Sequence, residues 1–262
     1  MTKKNSGAAN VYLAVVTLIM YIPIVLVIIY SFNESRLTTV WGGFSLSWYT
    51  ALFKDRAIAQ ALVNSLILGA LSSCAAAVIG TLGAIGVART GFRTNGVVEY
   101  VATLPIMTPE IILGMIFLAF FSLLGLPFGM TTLVIGHTAF CIPYVYMQVK
   151  ARLVGMDKSI EEAARDLGAA PARVFFDITL PLIAPAIFSG MLLSFAMSFD
   201  DVIISIFVTG AKTSTLPMII YTQLKTGITP KITALCTLMF FGTLLIVLLS
   251  RFVGRIQITK RR

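Results

Sequence analysis

The sequence predicts an all-α, polytopic membrane protein, and three observations carry that reading. Hydrophobic residues make up 58% of the 262-residue chain and charged residues 12%, where an average globular domain has roughly 45–50% and roughly 25%. A soluble fold this apolar lacks the polar side chains to face water, and a chain this poor in charge is not a disordered one. Second, six stretches reach the roughly 20 apolar residues that a span requires: 11–32, 61–88, 100–124, 131–149, 181–207 and 232–252. Third, with the N-terminus placed inside, fourteen of the twenty Lys and Arg fall on the inner side, among them Lys3, Lys4, Arg93, Lys158, Lys260, Arg261 and Arg262. Only Arg36, Lys54, Arg56, Lys212, Lys225 and Lys231 fall outside. The positive-inside bias and the even span count agree, with both termini cytoplasmic. The net charge of +9 then belongs to span flanks and not to a nucleic-acid surface.

Each element has its own signal. The first span follows Lys3 and Lys4 and is long enough to cross; no small-residue cleavage site ends it, so it is expected to be retained. Trp41, Trp48 and Tyr49 follow it, suited to the outer membrane interface or to contact with an external protein. In the second span Ala76, Gly80, Ala84 and Ala88 recur every four residues, a small-residue face that lets another helix approach closely. The third carries Glu110 and two prolines, Pro105 and Pro109. Gly125-Leu126-Pro127-Phe128-Gly129 divides it from the fourth as a turn. His137 is alone in the fourth span, where a hydrogen-bonded structural role is expected over a proton relay. Pro23, Pro143 and Pro185 fall inside the first, fourth and fifth spans, and each proline removes a backbone donor and can kink its helix. Cys74, Cys141 and Cys236 are isolated in apolar stretches, which argues for core packing and against a disulfide or metal framework.

The longest inner segment, about 150–180, carries a patterned motif. Ser159 and Glu162 have capping-box spacing. Ile160, Ala163, Ala164 and Leu167 share one helix face. Gly168 stands where a left-handed cap would end that helix, and Pro171 suits the first turn of another. A short amphipathic helix, a turn and a second helix should therefore lead into the fifth span. Its apolar face either lies on its own bundle or the lipid interface, or docks a cytoplasmic partner.

Glu162-Ala163-Ala164, Gly168 four positions on, Ile178 and Leu180-Pro181 resemble the EAA-x3-G-x9-I-x-LP pattern of bacterial ABC importer permeases, and every fixed position matches. That resemblance implies the type I importer permease fold as one permease domain over residues 1–262, with a core of about 60–252. It implies an inner-membrane location and a coupling helix seated in an ATP-hydrolysing subunit, with Glu162, Ala163, Ala164 and Gly168 at the contact. The implied partners are two ATP-binding subunits, a second, related but different permease subunit, and an extracytoplasmic binding protein. ATP and Mg would lie on the ATP-binding subunits, and no cofactor on this chain. Tyr21-Ile22-Pro23, Tyr30-Ser31-Phe32-Asn33, Ser198-Phe199-Asp200-Asp201-Val202 and Phe207-Val208-Thr209-Gly210 extend the resemblance to spermidine/putrescine permease subunits, the C-type subunit most.

A polyamine path needs oxygens inside an apolar bundle. Acidic residues in spans are costly and default to functional hypotheses. The candidates are Glu110, Asp200 and Asp201, with no Lys or Arg in the two expected spans that carry them to neutralise them. The adjacent aspartates would point about 100° apart on a helix; Asp201 is favoured over Asp200 as the cation contact, and a helix break is the alternative for the pair. The chain has no G-x-x-x-x-G-K-[ST] loop for nucleotide, no HExxH and no CxxC, so an enzyme reading has no catalytic constellation. An independent ion-coupled transporter or cation channel using the three acids is the main rival, and it leaves the EAA pattern unexplained.

Overall fold

The computed structural model describes residues 6–36, 40–89, 95–157 and 159–259. Lys3, Lys4, Arg93, Lys158, Lys260, Arg261 and Arg262, counted above as cytoplasmic, lie outside them. The described residues are helical almost throughout; a single bridge between Asn33 and Phe44 is their one β contact. The helices are α1 (Ser6–Tyr30), α2 (Ser47–Phe53), α3 (Arg56–Arg89), α4 (Asn95–Met107), α5 (Glu110–Leu123), α6 (Met130–Val154), α7 (Ser159–Asp166), α8 (Pro171–Val174), α9 (Leu180–Asp200), α10 (Ile203–Val208), α11 (Leu216–Thr226) and α12 (Pro230–Thr259). A π-helical turn, Phe175–Thr179, joins α8 to α9. Among the described residues four helical stretches are long and apolar enough to cross a membrane: Ala9–Tyr30, Arg56–Arg89, Met130–Val154 and Pro171–Asp200. Within α12, the stretch Pro230–Leu245 is a further apolar helix.

The third expected span is not one straight helix. α4 and α5 meet at a 110° bend at Thr108 and Pro109. Proline disfavours helical backbone in the residue before it, and Pro109 itself stands outside the helix at φ −55°, ψ 132°. The fifth span also stops early: α9 ends at Asp200, Asp201 is extended at ψ 132°, and α10 is a separate short helix. Pro23, Pro105, Pro143 and Pro185 all sit inside continuous helices.

The chain divides into two compact units, Met1–Ala59 with Ile220–Arg262, and Gln60–Ile219. In the first, α1 and α2 pack on α12. α1 leaves Val11, Leu18, Ile19 and Met20 largely uncovered, as a helix apolar on all sides does when lipid is its solvent. The segment after α1 is organised by Asn33, whose side-chain amide donates to the Val40 carbonyl (2.8 Å) and whose side-chain oxygen accepts from the Gly42 N–H (2.8 Å). Trp48 donates from Nε1 to the Asn33 carbonyl (2.8 Å), so this tryptophan fixes the loop.

Lys231 at the start of α12 forms an ion pair with Asp55 before α3. The hydrogen bond from the Lys231 ammonium, aided by the Ile58 and Ala57 N–H groups, holds the Asp55 carboxyl below its ordinary value of 3.8. A depressed folded-state value contributes stability above the ordinary value, and that contribution is lost as pH falls through the folded one. Asp55→Asn should therefore lower thermal stability in detergent at pH 7 by about 0.5–1 kcal/mol. The difference from wild type should shrink as pH falls below 3.8; a pH-independent difference would remove the ion pair as its cause.

The second unit is built around α6, whose Leu133, His137, Cys141, Val145, Tyr146 and Val149 are buried. Small residues on its neighbours permit this. Ala76, Gly80 and Ala84 of α3 are buried and Ala88 is exposed. A Cβ on Gly80 would stand 3.0 Å from the Ile142 carbonyl oxygen and the Tyr146 nitrogen of α6. Likewise a Cβ on Gly190 of α9 would stand 2.9 Å from Val145 Cα. α4 also packs on α6, and α10 packs on α5 and α6. The turn expected at Gly125 is a Schellman cap: Gly125 has φ +65°, its N–H donates to the Ser122 carbonyl, and the Leu126 N–H donates to the Phe121 carbonyl.

Candidate functional site

Two regions of the second unit carry the residues singled out in the sequence. The first is the segment between α6 and α9. Asp157 accepts from the Ser159 N–H at 3.0 Å, opening α7; that hydrogen bond holds the Asp157 carboxyl below its ordinary value. α7 closes on Gly168 at φ +84°. The Gly168 N–H donates to the Arg165 carbonyl and the Ala169 N–H to the Ala164 carbonyl, the paired bonds of a Schellman cap. Pro171 then begins α8. Glu162 and Ala163 are exposed and Ala164 is half-buried. The apolar side of α7 does not cover itself against the second unit: Ile160 is 46% exposed and Leu167 90%.

The residue that does turn inward is Glu161, which sequence reasoning passed over as one of several polar positions. Its Oε1 accepts from Arg89 Nη2 at 2.7 Å and from Thr179 Oγ1 at 2.6 Å. Arg89 Nη2 also donates to Thr179 Oγ1 at 2.8 Å, and the Arg89 guanidinium lies over the Phe175 ring, 5.8 Å from its centroid. The signal for this was periodicity: Glu161 lies on the same side of α7 as Ala164 and Gly168, next to the apolar face that carries Ile160, Ala163 and Leu167.

The backbone of Gly168 allows a clean test. A Cβ there meets nothing within 4 Å, so space is no obstacle and only the positive φ is. A left-handed residue costs roughly 1–2 kcal/mol, more if β-branched, whereas Asn tolerates it. Gly168→Val should lower substrate uptake severalfold at normal membrane levels and Gly168→Asn should not. Equal activity of the two variants would show that the cap geometry does not matter.

The second region is the break between α9 and α10. Asp201 and Asp200 part company there. The Asp201 side chain is 4% exposed. It accepts from the Ile204 N–H (3.2 Å), the Ser205 N–H (2.8 Å) and the Ser205 hydroxyl (2.9 Å), capping α10. Asp200, the last residue of α9, is exposed. Glu110, the first residue of α5, is exposed at the 110° bend. Among the described residues neither Asp200 nor Glu110 has an ion pair.

His137 is fully buried beside this break. Its Nε2 is 3.0 Å from Ser205 Oγ and 3.4 Å from Asp201 Oδ2, and its Nδ1 is 2.8 Å from Ser198 Oγ. Ser198 Oγ lies 2.9 Å from Ser72 Oγ of α3. Because Ser205 spends its proton on the Asp201 carboxylate, His137 Nε2 is the donor to Ser205, and Nδ1 accepts from Ser198. Four helices, α3, α6, α9 and α10, thus share one buried polar chain. The sequence showed His137 but none of its partners, since serines in apolar helices carry no signal of their own.

The comparisons with known proteins bear on both regions. Residues 76–258 match the model of the family described as binding-protein-dependent transport system inner membrane component. The chain belongs to this family. The permease is 43% identical over 226 residues to the putrescine transport system permease protein PotI of Escherichia coli (strain K12), covering 84% of this chain and 80% of that one. It is 38% identical over 246 residues to the spermidine/putrescine transport system permease protein PotC of Haemophilus influenzae, covering 94% and 96%. In fold it is similar to a chain of a bacterial ABC transporter that imports the acidic polysaccharide alginate, with TM-score 0.73 and 17% identity over 97% of this chain and 98% of that one. A chain of the MetNI methionine ABC transporter in an inward facing conformation gives TM-score 0.62 at 19% identity, over 76% and 95%. The permease is therefore a multi-pass membrane component of a binding-protein-dependent transport system, and the rival reading as an independent channel or ion-coupled transporter is not favoured.

Proposed function

We propose that this permease carries polyamines, putrescine or spermidine, inward across a bacterial inner membrane as one of two permease subunits of an ATP-driven importer. The observation that carries the docking part is α7: a helix with matching EAA residues whose apolar side, Ile160 and Leu167, stays uncovered while its Glu161 is anchored to the bundle. A helix so anchored is suited to seat in the cleft of an ATP-binding subunit, with Glu162, Ala163, Ala164 and Gly168 at that contact. ATP and Mg belong to that subunit. An extracytoplasmic binding protein delivers the polycation, and a second, related permease subunit encloses the other half of the path. Both termini are cytoplasmic in this reading, which places α7 on the ATP side.

The relatives' names support the substrate class, and the unpaired acids support it chemically. Asp200 sits at a helix C-terminus, where a negative charge is disfavoured by the helix dipole. Together with Glu110 it offers carboxylate oxygens to a passing ammonium group, while Asp201 is already engaged as a cap. ATP binding and hydrolysis would shift the population between outward- and inward-open states by favouring one docked geometry of α7.

Reconstitution tests the whole reading. The importer, purified through a tag on this chain and placed in vesicles with its binding protein, should take up labelled putrescine or spermidine when ATP reaches the α7 side. It should not do so on an ion gradient alone. Uptake that follows the gradient and ignores ATP would overturn the reading.

A further inference from the structure

We propose that the Arg89–Glu161–Thr179 cluster is the link that carries movement of α7 into the membrane bundle, so that Glu161 and Arg89 are positioning residues for energy coupling. The inference rests on the reading of α7 as the helix that docks the ATP-binding subunit. It goes beyond that reading because none of the three residues belongs to the docking contact. Position 161 precedes the matched EAA residues, and position 179 is the open position between Ile178 and Leu180-Pro181. The pattern fixes neither residue type, and the fold brings both to one point.

The geometry shows what the cluster joins. Arg89 is the last residue of α3, the 34-residue helix whose Gly80 contacts the α6 backbone. Thr179 is fully buried at the end of the π turn, one residue before α9, and π turns frequently mark functional positions within helices. One carboxylate oxygen, Glu161 Oε1, bonds to both at 2.7 and 2.6 Å, and Arg89 closes the triangle on Thr179 at 2.8 Å. The Glu161 side chain is only 17% exposed, so these charge-assisted bonds are shielded and directional. α7 is otherwise an eight-residue helix with no buried side chain. A push on its outer side therefore reaches α3 and α9 together through this cluster. α3 and α9 are also the helices that grip α6 through Gly80 and Gly190.

The test separates coupling from assembly. In the reconstituted importer, Glu161→Arg and Arg89→Glu should each cut polyamine uptake per ATP hydrolysed at least fivefold, with the ATP-binding subunit still co-purifying in normal amount. The double variant restores opposite charges and should return the ratio to within twofold of wild type. Thr179→Val removes one bond, keeps the shape and leaves both charges, so it reads the cluster even where a charge reversal lowers the inserted protein; it should cut the ratio two- to threefold. An unchanged ratio in the single variants and in Thr179→Val overturns the proposal. So does loss of the ATP-binding subunit from the complex, which would make the cluster part of the docking surface only, and so does failure of the double variant to recover. If the wild-type importer itself shows no ATP-dependent uptake, the reading of α7 falls first and the coupling link with it.

Discussion

Gly190→Val is expected to leave little folded permease in the membrane. Even the first added carbon would stand 2.9 Å from Val145 Cα and 3.4 Å from its Cβ, and the nearer atom is backbone, which cannot rotate away. Val145 is fully buried in α6 and is also met by Gly80, where a Cβ would be 3.0 Å from Val145 Cβ, the Ile142 carbonyl oxygen and the Tyr146 nitrogen. α6 is thus approached closely by two glycines at Val145, and a shift away from one added carbon is resisted by the backbone contact at the other. Overpacking a tight core costs typically about 1–3 kcal/mol. A loss at or above about 3 kcal/mol is a large share of a stability of roughly 5–15 kcal/mol. Gly86→Val is the control, because a Cβ there meets nothing within 4 Å. Denaturation of the purified chains in detergent should place Gly190→Val far below wild type and Gly86→Val beside it. A Gly190→Val protein as stable as the control would show that α6 and α9 do not pack this closely.

Asp200→Asn should abolish most transport and leave stability alone, and Asp201→Asn should do the reverse. The two carboxylates are neighbours in sequence and have opposite employment. Asp201 accepts from two backbone N–H groups and one hydroxyl at the start of α10. Asn keeps one acceptor oxygen of the two and brings a donor amide to face donors. Losing a helix cap costs about 0.5–2 kcal/mol, so Asp201→Asn should unfold at a lower temperature. Asp200 is exposed and caps nothing. If it contacts an ammonium group in transit, removal of a charge-assisted bond costs about 1.5–3 kcal/mol, or roughly ten- to a hundredfold in affinity. Glu110→Gln should act in the same direction as Asp200→Asn. Labelled putrescine uptake and a thermal melt on the same preparations read the two effects separately. Normal uptake in Asp200→Asn, Glu110→Gln and their double variant would remove both acids from the path.

The features legible in the sequence were those fixed by residues close together along the chain. The apolar runs and the near absence of charge determined that the chain is a helical membrane protein, because hydrocarbon excludes charges and unpaired backbone. The residues around Glu162 determined two turns of the segment after α6: Gly168 takes the positive φ and Pro171 opens the next helix, since caps are built from consecutive residues. The sequence pointed to Ser159 as the cap of α7, where the structure has Asp157 accepting from the Ser159 N–H, and it did not show the π turn before α9. The hydrogen-bonded His137 was also foreseen, although its partners were not. Only the tertiary structure decided the rest. Five prolines looked alike in sequence, yet Pro109 alone stands at a sharp bend, while Pro143 stays helical in the stretch of α6 held by Gly80 and Gly190. It was tertiary packing that turned Asp201 inward and left Asp200 outside, against the sequence preference for Asp201 as the cation contact. The same holds for Glu161, which reaches Arg89 across 72 positions and Thr179 across 18. Which face of a short helix is inward depends on what lies opposite, and a one-residue difference in a helix turns a side chain by about 100°, enough to exchange a buried anchor for an exposed contact.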